Sequence, residues 1–164
     1  DSIGICIPGL CRHYYDNHFW PDKIETCEDE VVLTWLENHL CMIPMDPRRH
    51  GCSVVDGMDI TKTKVETLTK AADDCWEAIM NTDLDAFAKA YKDSFNAQVA
   101  MFPAMIQGCV QDYIDEYSAM EDVLAWKMPG AGGGGYLACV VKDAENFCDN
   151  HPEAIKLKIR RSGF

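Results

Sequence analysis

Several signals are missing from this sequence, and each absence closes off a class of function. No apolar run approaches the roughly 20 residues that a membrane-spanning helix needs. The chain opens Asp1-Ser2-Ile3-Gly4, with no initiator Met and no basic stretch leading into an apolar one. It therefore reads as a piece of a longer chain without a secretory leader. Neither Cys-x-x-Cys nor His-x-x-x-His occurs, and no mixed Cys/His spacing suits a zinc ion. Positive charge is scarce: 15 Lys and Arg stand against 27 Asp and Glu, a net charge of −12. That balance argues against nucleic acid or an anionic membrane as a partner. The nine cysteines are odd in number and fall mostly in apolar runs (Cys6, Cys41, Cys75, Cys139), which fits reduced thiols in a cytoplasmic protein.

What the chain does contain is enough apolar residue, 48% of its 164 positions, for one domain with a sizeable core. Its most unusual stretch is Lys127-Met128-Pro129-Gly130-Ala131-Gly132-Gly133-Gly134-Gly135, followed by Tyr136-Leu137-Ala138-Cys139-Val140-Val141. So many glycines disfavour helix and strand, yet they permit positive φ and close approach by another backbone or a phosphate. The run after them has the composition of a buried strand. A dinucleotide fingerprint must follow a strand and open a helix, so the match of Gly130-x-Gly132-x-x-Gly135 is accidental. A Walker A loop needs Gly-Lys-Ser/Thr, whereas Gly135 is followed by Tyr136. A flexible glycine linker is the plain alternative.

Elsewhere the pattern alternates between sheet and helix. Residues 3–7 alternate apolar with small before a turn at Pro8-Gly9. Residues 10–25 carry Arg12, His13, Tyr14, Tyr15, His18 and Trp20, the content of a polar ligand pocket or of a surface hairpin. Acids at 28–30 open a helix with Val32, Trp35, Leu36 and Leu40 on its apolar face, and Leu40 to Met45 is a strand. Pro47-Arg48-Arg49-His50-Gly51 is a basic turn, either simply solvated or facing an anionic ligand.

From Thr61 three helices are expected. The first carries a core stripe of Val65, Leu68, Ala72, Cys75 and Ile79. Thr82-x-x-Asp85 reads as a capping box for the second, and Pro103 stands near the first turn of the third. A short helix over 143–150 precedes Ile155-Lys156-Leu157-Lys158-Ile159-Arg160, whose alternation predicts a strand with one buried face. Its Lys156, Lys158, Arg160 and Arg161 guard a sheet edge or attract phosphate. Strands at both ends and helices between predict an α+β fold, an antiparallel sheet with helices packed on one face.

Two stretches together resemble the GHMP small-molecule kinases, the family of galactokinase, homoserine, mevalonate and phosphomevalonate kinases. Lys127-x-x-Gly130-Ala131-Gly132-Gly133-Gly134-Gly135-Tyr136 is similar to that family's third motif, a glycine loop entering a strand near the C terminus. Thr82-Asp83-Leu84-Asp85-Ala86-Phe87 resembles the step between its C-terminal helices. The segment Leu40 to Arg48 resembles the strand and Arg-bearing turn before them. Residues 1–9 are similar to the segment after the catalytic Asp in fucokinase- and heptose-kinase-like members. The family's second motif, the loop that wraps the ATP phosphates, is absent from the chain.

The resemblance implies a ferredoxin-like GHMP kinase C-terminal domain over residues 51–164, with residues 1–50 the tail end of the N-terminal kinase domain. It implies a C-terminal half-kinase, inactive alone, whose parent transfers the γ-phosphoryl group of ATP, with Mg2+, to a sugar or sugar phosphate at its anomeric hydroxyl. Asp1 would be the catalytic aspartate, and Gly130, Ala131, Gly132, Gly133, Gly134 and Gly135 the cofactor loop. Tyr15 and Arg48 are the candidate substrate contacts. The partners implied are a small sugar and the N-terminal half of the same kinase, with a homodimer also allowed. A free-standing α+β module that binds a metabolite or dimerises, without chemistry, is the alternative.

Overall fold

The computed structural model describes residues 2–48, 53 and 55–163. It opens with α1 (Ser2–Cys6), a single helical turn where the sequence alternates like a strand. The neighbouring strand that could have paired with it, β1 (Leu10–Tyr14), instead takes β2 (Lys23–Cys27) in an antiparallel hairpin running from Leu10↔Cys27 to Tyr14↔Lys23. Residues 10–25 are thus a hairpin, and its turn leaves Phe19 86% and Trp20 66% exposed.

Asp29 then starts α2 (Glu30–His39), its carboxylate accepting from the N–H groups of Val31 and Val32 at 2.8 and 3.3 Å. This helix runs straight into β3 (Leu40–Pro44). Thr61 then caps α3 (Lys62–Met80), which pairs with α4 (Leu84–Met101). The cap of α4 is Asp83, accepting from Ala86 N–H at 3.0 Å; Thr82, expected in that role, sits at φ +53°. A carboxylate one residue nearer the helix thus does the capping, while Thr82 takes the sharp turn.

Pro103 opens only a short 3-10 turn, Pro103–Met105, and α5 (Val110–Ser118) begins seven residues later. The chain finishes with β4 (Val123–Lys127), β5 (Tyr136–Val141), α6 (Ala144–Asn150) and the two-residue β6 (Ile155–Lys156). The expected strand over 155–160 stops there. Beyond it, the Ile159 N–H and the Lys158 and Arg161 side chains turn to the Glu37 carboxylate on α2 instead of pairing with a strand.

The sheet order β4-β5-β3-β6, with every neighbour antiparallel, is the split βαββαβ arrangement of ferredoxin-like folds. Because β3 precedes residue 50 and its partners follow it, one sheet is shared across that position. Alternate residues of the central strands enter two cores. Cys41, Ile43, Leu137, Cys139 and Val141 meet Met105, α5 and Phe147 of α6. Val140 and Ala125 meet Leu36 of α2 and the α3–α4 pair at Ala78 and Phe87.

The stripe expected to bury α3 does so only in part. Val65 is 44% exposed, and Leu68, Cys75 and Ile79 are half-buried, while Ala71 and Ala78 are the buried residues of that helix. Small alanines let α4 approach closely, so the larger side chains are left facing a cavity beside the hairpin.

Candidate functional site

The glycine loop leaves β4 at Lys127 and enters β5 at Tyr136. Gly130, Gly132, Gly133, Gly134 and Gly135 all have positive φ, a conformation that costs an L-side chain dearly. At two of them the bareness also makes room for this chain's own backbone. A Cβ on Gly132 would lie 2.8 Å from Met105 Cβ and 3.0 Å from Met105 O. One on Gly134 would lie 2.6 Å from Asp46 O and 2.8 Å from Arg48 N.

Hydrogen bonds fix the same contacts. Gly133 N–H donates to Met105 O at 2.9 Å, Gly135 N–H donates to Asp46 O at 3.1 Å, and Met45 N–H donates to Gly135 O at 2.8 Å. The loop is held on two sides and is no free linker. Its crest, Pro129 to Ala131, is exposed. Among the described residues, the N–H groups of Gly130, Ala131 and Gly134 make no hydrogen bond.

Arg48 completes the clasp from the turn after β3. Its Nε and Nη2 donate to Gly132 O at 3.1 and 2.7 Å, and among the described residues no acceptor takes the remaining guanidinium N–H groups. No carboxylate among the described residues pairs with it.

Beside the crest, an apolar hollow of about 250 Å³ is walled by Val55, Gln98, Phe102, Met105 and Ala131. Gln98 also links the loop's root to the interior, because its Oε1 accepts from Lys127 Nζ at 2.8 Å while Ser94 Oγ accepts at 3.2 Å. Burial lowers the Lys127 pKa from its ordinary value, and the opposing influence of Cys75 is too small to offset the lost water.

The expected site residues are thus partly brought together. Arg48 and the loop Gly130–Gly135 touch across 84 positions of sequence. Tyr15 lies on the hairpin turn, 55% exposed, with its hydroxyl 3.4 Å from His13 Nδ1. Asp1 lies outside the described residues. Met105, Asp46, Ser94 and Gln98 had no motif to mark them. Lys127 was visible as the head of the glycine run, but nothing local showed what it would meet.

No protein-family profile matches this chain, and no curated protein matches it. Among solved structures, mevalonate-3-kinase from Thermoplasma acidophilum, with mevalonate 3-phosphate and ADP bound, superposes with a TM-score of 0.53 at 14% identity. The match covers 87% of this chain and 50% of that one, so the chain spans half the length of the kinase it resembles. A Campylobacter jejuni protein provisionally described as a sugar kinase matches at 12% identity over 84% of this chain and 42% of its own, with a TM-score of 0.47, too loose to argue from. The likeness to the mevalonate-3-kinase shows the fold alone, an α+β domain built on an antiparallel sheet.

Proposed function

We propose that this chain is the C-terminal half of an ATP-dependent GHMP-type kinase. Its parent transfers the γ-phosphoryl group to a hydroxyl of a sugar or sugar phosphate, the anomeric hydroxyl by preference. The observation that supports this most is the pairing of Arg48 with the glycine loop. In a chain of net charge −12, an arginine whose guanidinium, among the described residues, meets only a carbonyl stands next to a loop whose Gly130, Ala131 and Gly134 N–H groups take no acceptor among those residues. A guanidinium and bare backbone donors are what a phosphate requires.

In phosphoryl transfer the protein contributes mainly position and charge stabilisation. The acceptor oxygen bonds to the γ-phosphorus as the bond to the β,γ-bridging oxygen breaks, and ADP leaves. Asp1 takes the acceptor's proton in this reading. Arg48 and the loop N–H groups steady the phosphate oxygens as their charge shifts. Bound Mg2+ would neutralise phosphate charge. The described residues contain no group of three His, Cys, Asp or Glu side chains able to hold a metal ion, so no residue of theirs is assigned to it.

The test is ADP release by the full-length parent with ATP and a panel of sugars and sugar phosphates. Turnover with one of them, falling about tenfold or more in Arg48→Ala, is expected. No transfer to any member of the panel would sink the proposal. ATP titrated into this chain alone should bind weakly or not at all, and submicromolar binding would contradict its being half a site.

A further inference from the structure

A second site lies away from the loop crest, where the β1–β2 hairpin covers α3, α4 and the end of β4. There an open cavity of about 380 Å³ is lined by Arg12 and His13 of the hairpin, Leu68 and Trp76 of α3, Tyr91 of α4, and Lys127 of β4. Two observations make it more than a packing gap.

The first is Lys127. Its Nζ is held by two neutral oxygens, Ser94 Oγ and Gln98 Oε1, and no carboxylate among the described residues pairs with it. An ammonium withdrawn from water without an opposite charge is costly, and proteins seldom leave one so. The second is that the other polar neighbours supply no negative charge. Burial pushes the Cys75 thiol up to about 11 and raises the Tyr91 hydroxyl, so both are neutral at ordinary pH. Arg12 is already engaged by Asp73 and Glu25. The rest of the lining, Leu68, Trp76 and Ile79, is apolar.

We propose that this cavity binds a small organic oxyanion, a carboxylate or phosphate on an apolar body, with Lys127 meeting the oxygens and Leu68, Trp76 and Ile79 the body. The inference stands apart from the kinase reading, because it concerns a different cavity and its readout is binding, not turnover.

Benzoate and phenyl phosphate are the probes for the two oxyanions, with benzyl alcohol as the neutral control, in calorimetric titrations of this chain. At least one anion should bind at least about tenfold more tightly than benzyl alcohol and raise the melting temperature. Lys127→Met should erase that preference while keeping the fold, since it replaces a buried charge by an apolar stem of similar length. Should that variant not fold, Leu68→Glu, at a half-buried position of the lining, provides the comparison: its negative charge should weaken the anion several-fold relative to benzyl alcohol. Equal binding of anions and alcohol, or an anion affinity unchanged in whichever of these variants folds, overturns the proposal.

Discussion

Two groups of cations in this protein have opposite surroundings. Those of the C-terminal tail are neutralised within the chain. Lys156 meets Glu145 at 2.9 Å, Lys158 meets Glu37 at 3.0 Å, and Arg161 bridges Glu30 and Glu37. Among the described residues, Arg48 and Lys127, at the two ends of the glycine-loop region, meet only carbonyl, hydroxyl and amide oxygens. The tail's charges fasten the last residues to α2 and α6. Those around the loop have no carboxylate among the described residues, in a chain that is strongly acidic overall, so charge density in the sequence and charge available to a ligand are different things.

The tail also settles what its basic residues do. Of the two roles open for Lys156, Lys158, Arg160 and Arg161, edge guarding suits Lys156 alone, which stands on β6 at the edge of the sheet; the other three lie beyond that strand and are tied to groups of the chain itself. Glu37, with its side chain only 2% exposed, gathers Lys158, Arg161 and the Ile159 N–H, and Arg160 donates to Cys6 O at 2.7 Å. Burial alone would raise the Glu37 pKa, but the hydrogen bonds from Arg161, Ile159 and Lys158 outweigh it and hold the carboxyl at about 2.

The comparison can be broken most forcefully at the loop itself. Gly134→Val would drive a β-branched side chain into Asp46 O and Arg48 N, and should cost about 4 kcal/mol or more, seen as a fall in melting temperature. A fall of under about 1 kcal/mol would show that the clasp gives way easily.

Next comes acid. The Glu37 pKa is lowered from 4.5 to about 2 on folding, so the unfolded chain takes up the proton first as pH falls. The stabilisation is complete above pH 4.5 and disappears between pH 4.5 and 2. Roughly 3 kcal/mol should be lost from this group across that window in urea melts, and Glu37→Gln should remove that share, leaving the smaller acid dependence of Asp22, Glu25, Glu30 and Glu153, whose carboxyls are also held low.

Gly133→Val comes third. Its Cβ would lie 3.2 Å from Arg48 Nε, a side chain that can move, so the strain at φ +78° sets a cost of about 2 kcal/mol. By displacing Arg48 it should nonetheless abolish kinase activity of the intact parent; full activity would mean that the glycines are spacers.

Arg48→Lys should cost this chain only about 1 kcal/mol, because one cation without a carboxylate partner loses part of a forked contact. Smallest of all, Lys156→Gln removes a pair whose Glu145 is 77% exposed and should shift stability by less than about 0.5 kcal/mol.

How much could be read in advance varied with the range of the interaction involved. The loop-then-strand order at 127–141 and the helix starts at Thr61 and Asp143 depend on neighbours within a few positions, and all appear in the structure. The α3 stripe was misjudged because helical spacing names a face without naming what covers it. The strand over 155–160 was overextended because Glu37, more than 100 positions away, competes for those residues.

By itself, then, the amino-acid order determined where glycine must replace side chain, where strands and helices begin, and that the sheet is antiparallel with helices against it. Those follow from steric and periodic costs paid locally along the backbone. Only the tertiary structure decided that Met105 and Asp46 would close on the loop, and which cations would find a carboxylate. Both depend on distances through space between residues far apart in the chain, where separations of a few ångströms decide whether a charge is neutralised or left for a ligand.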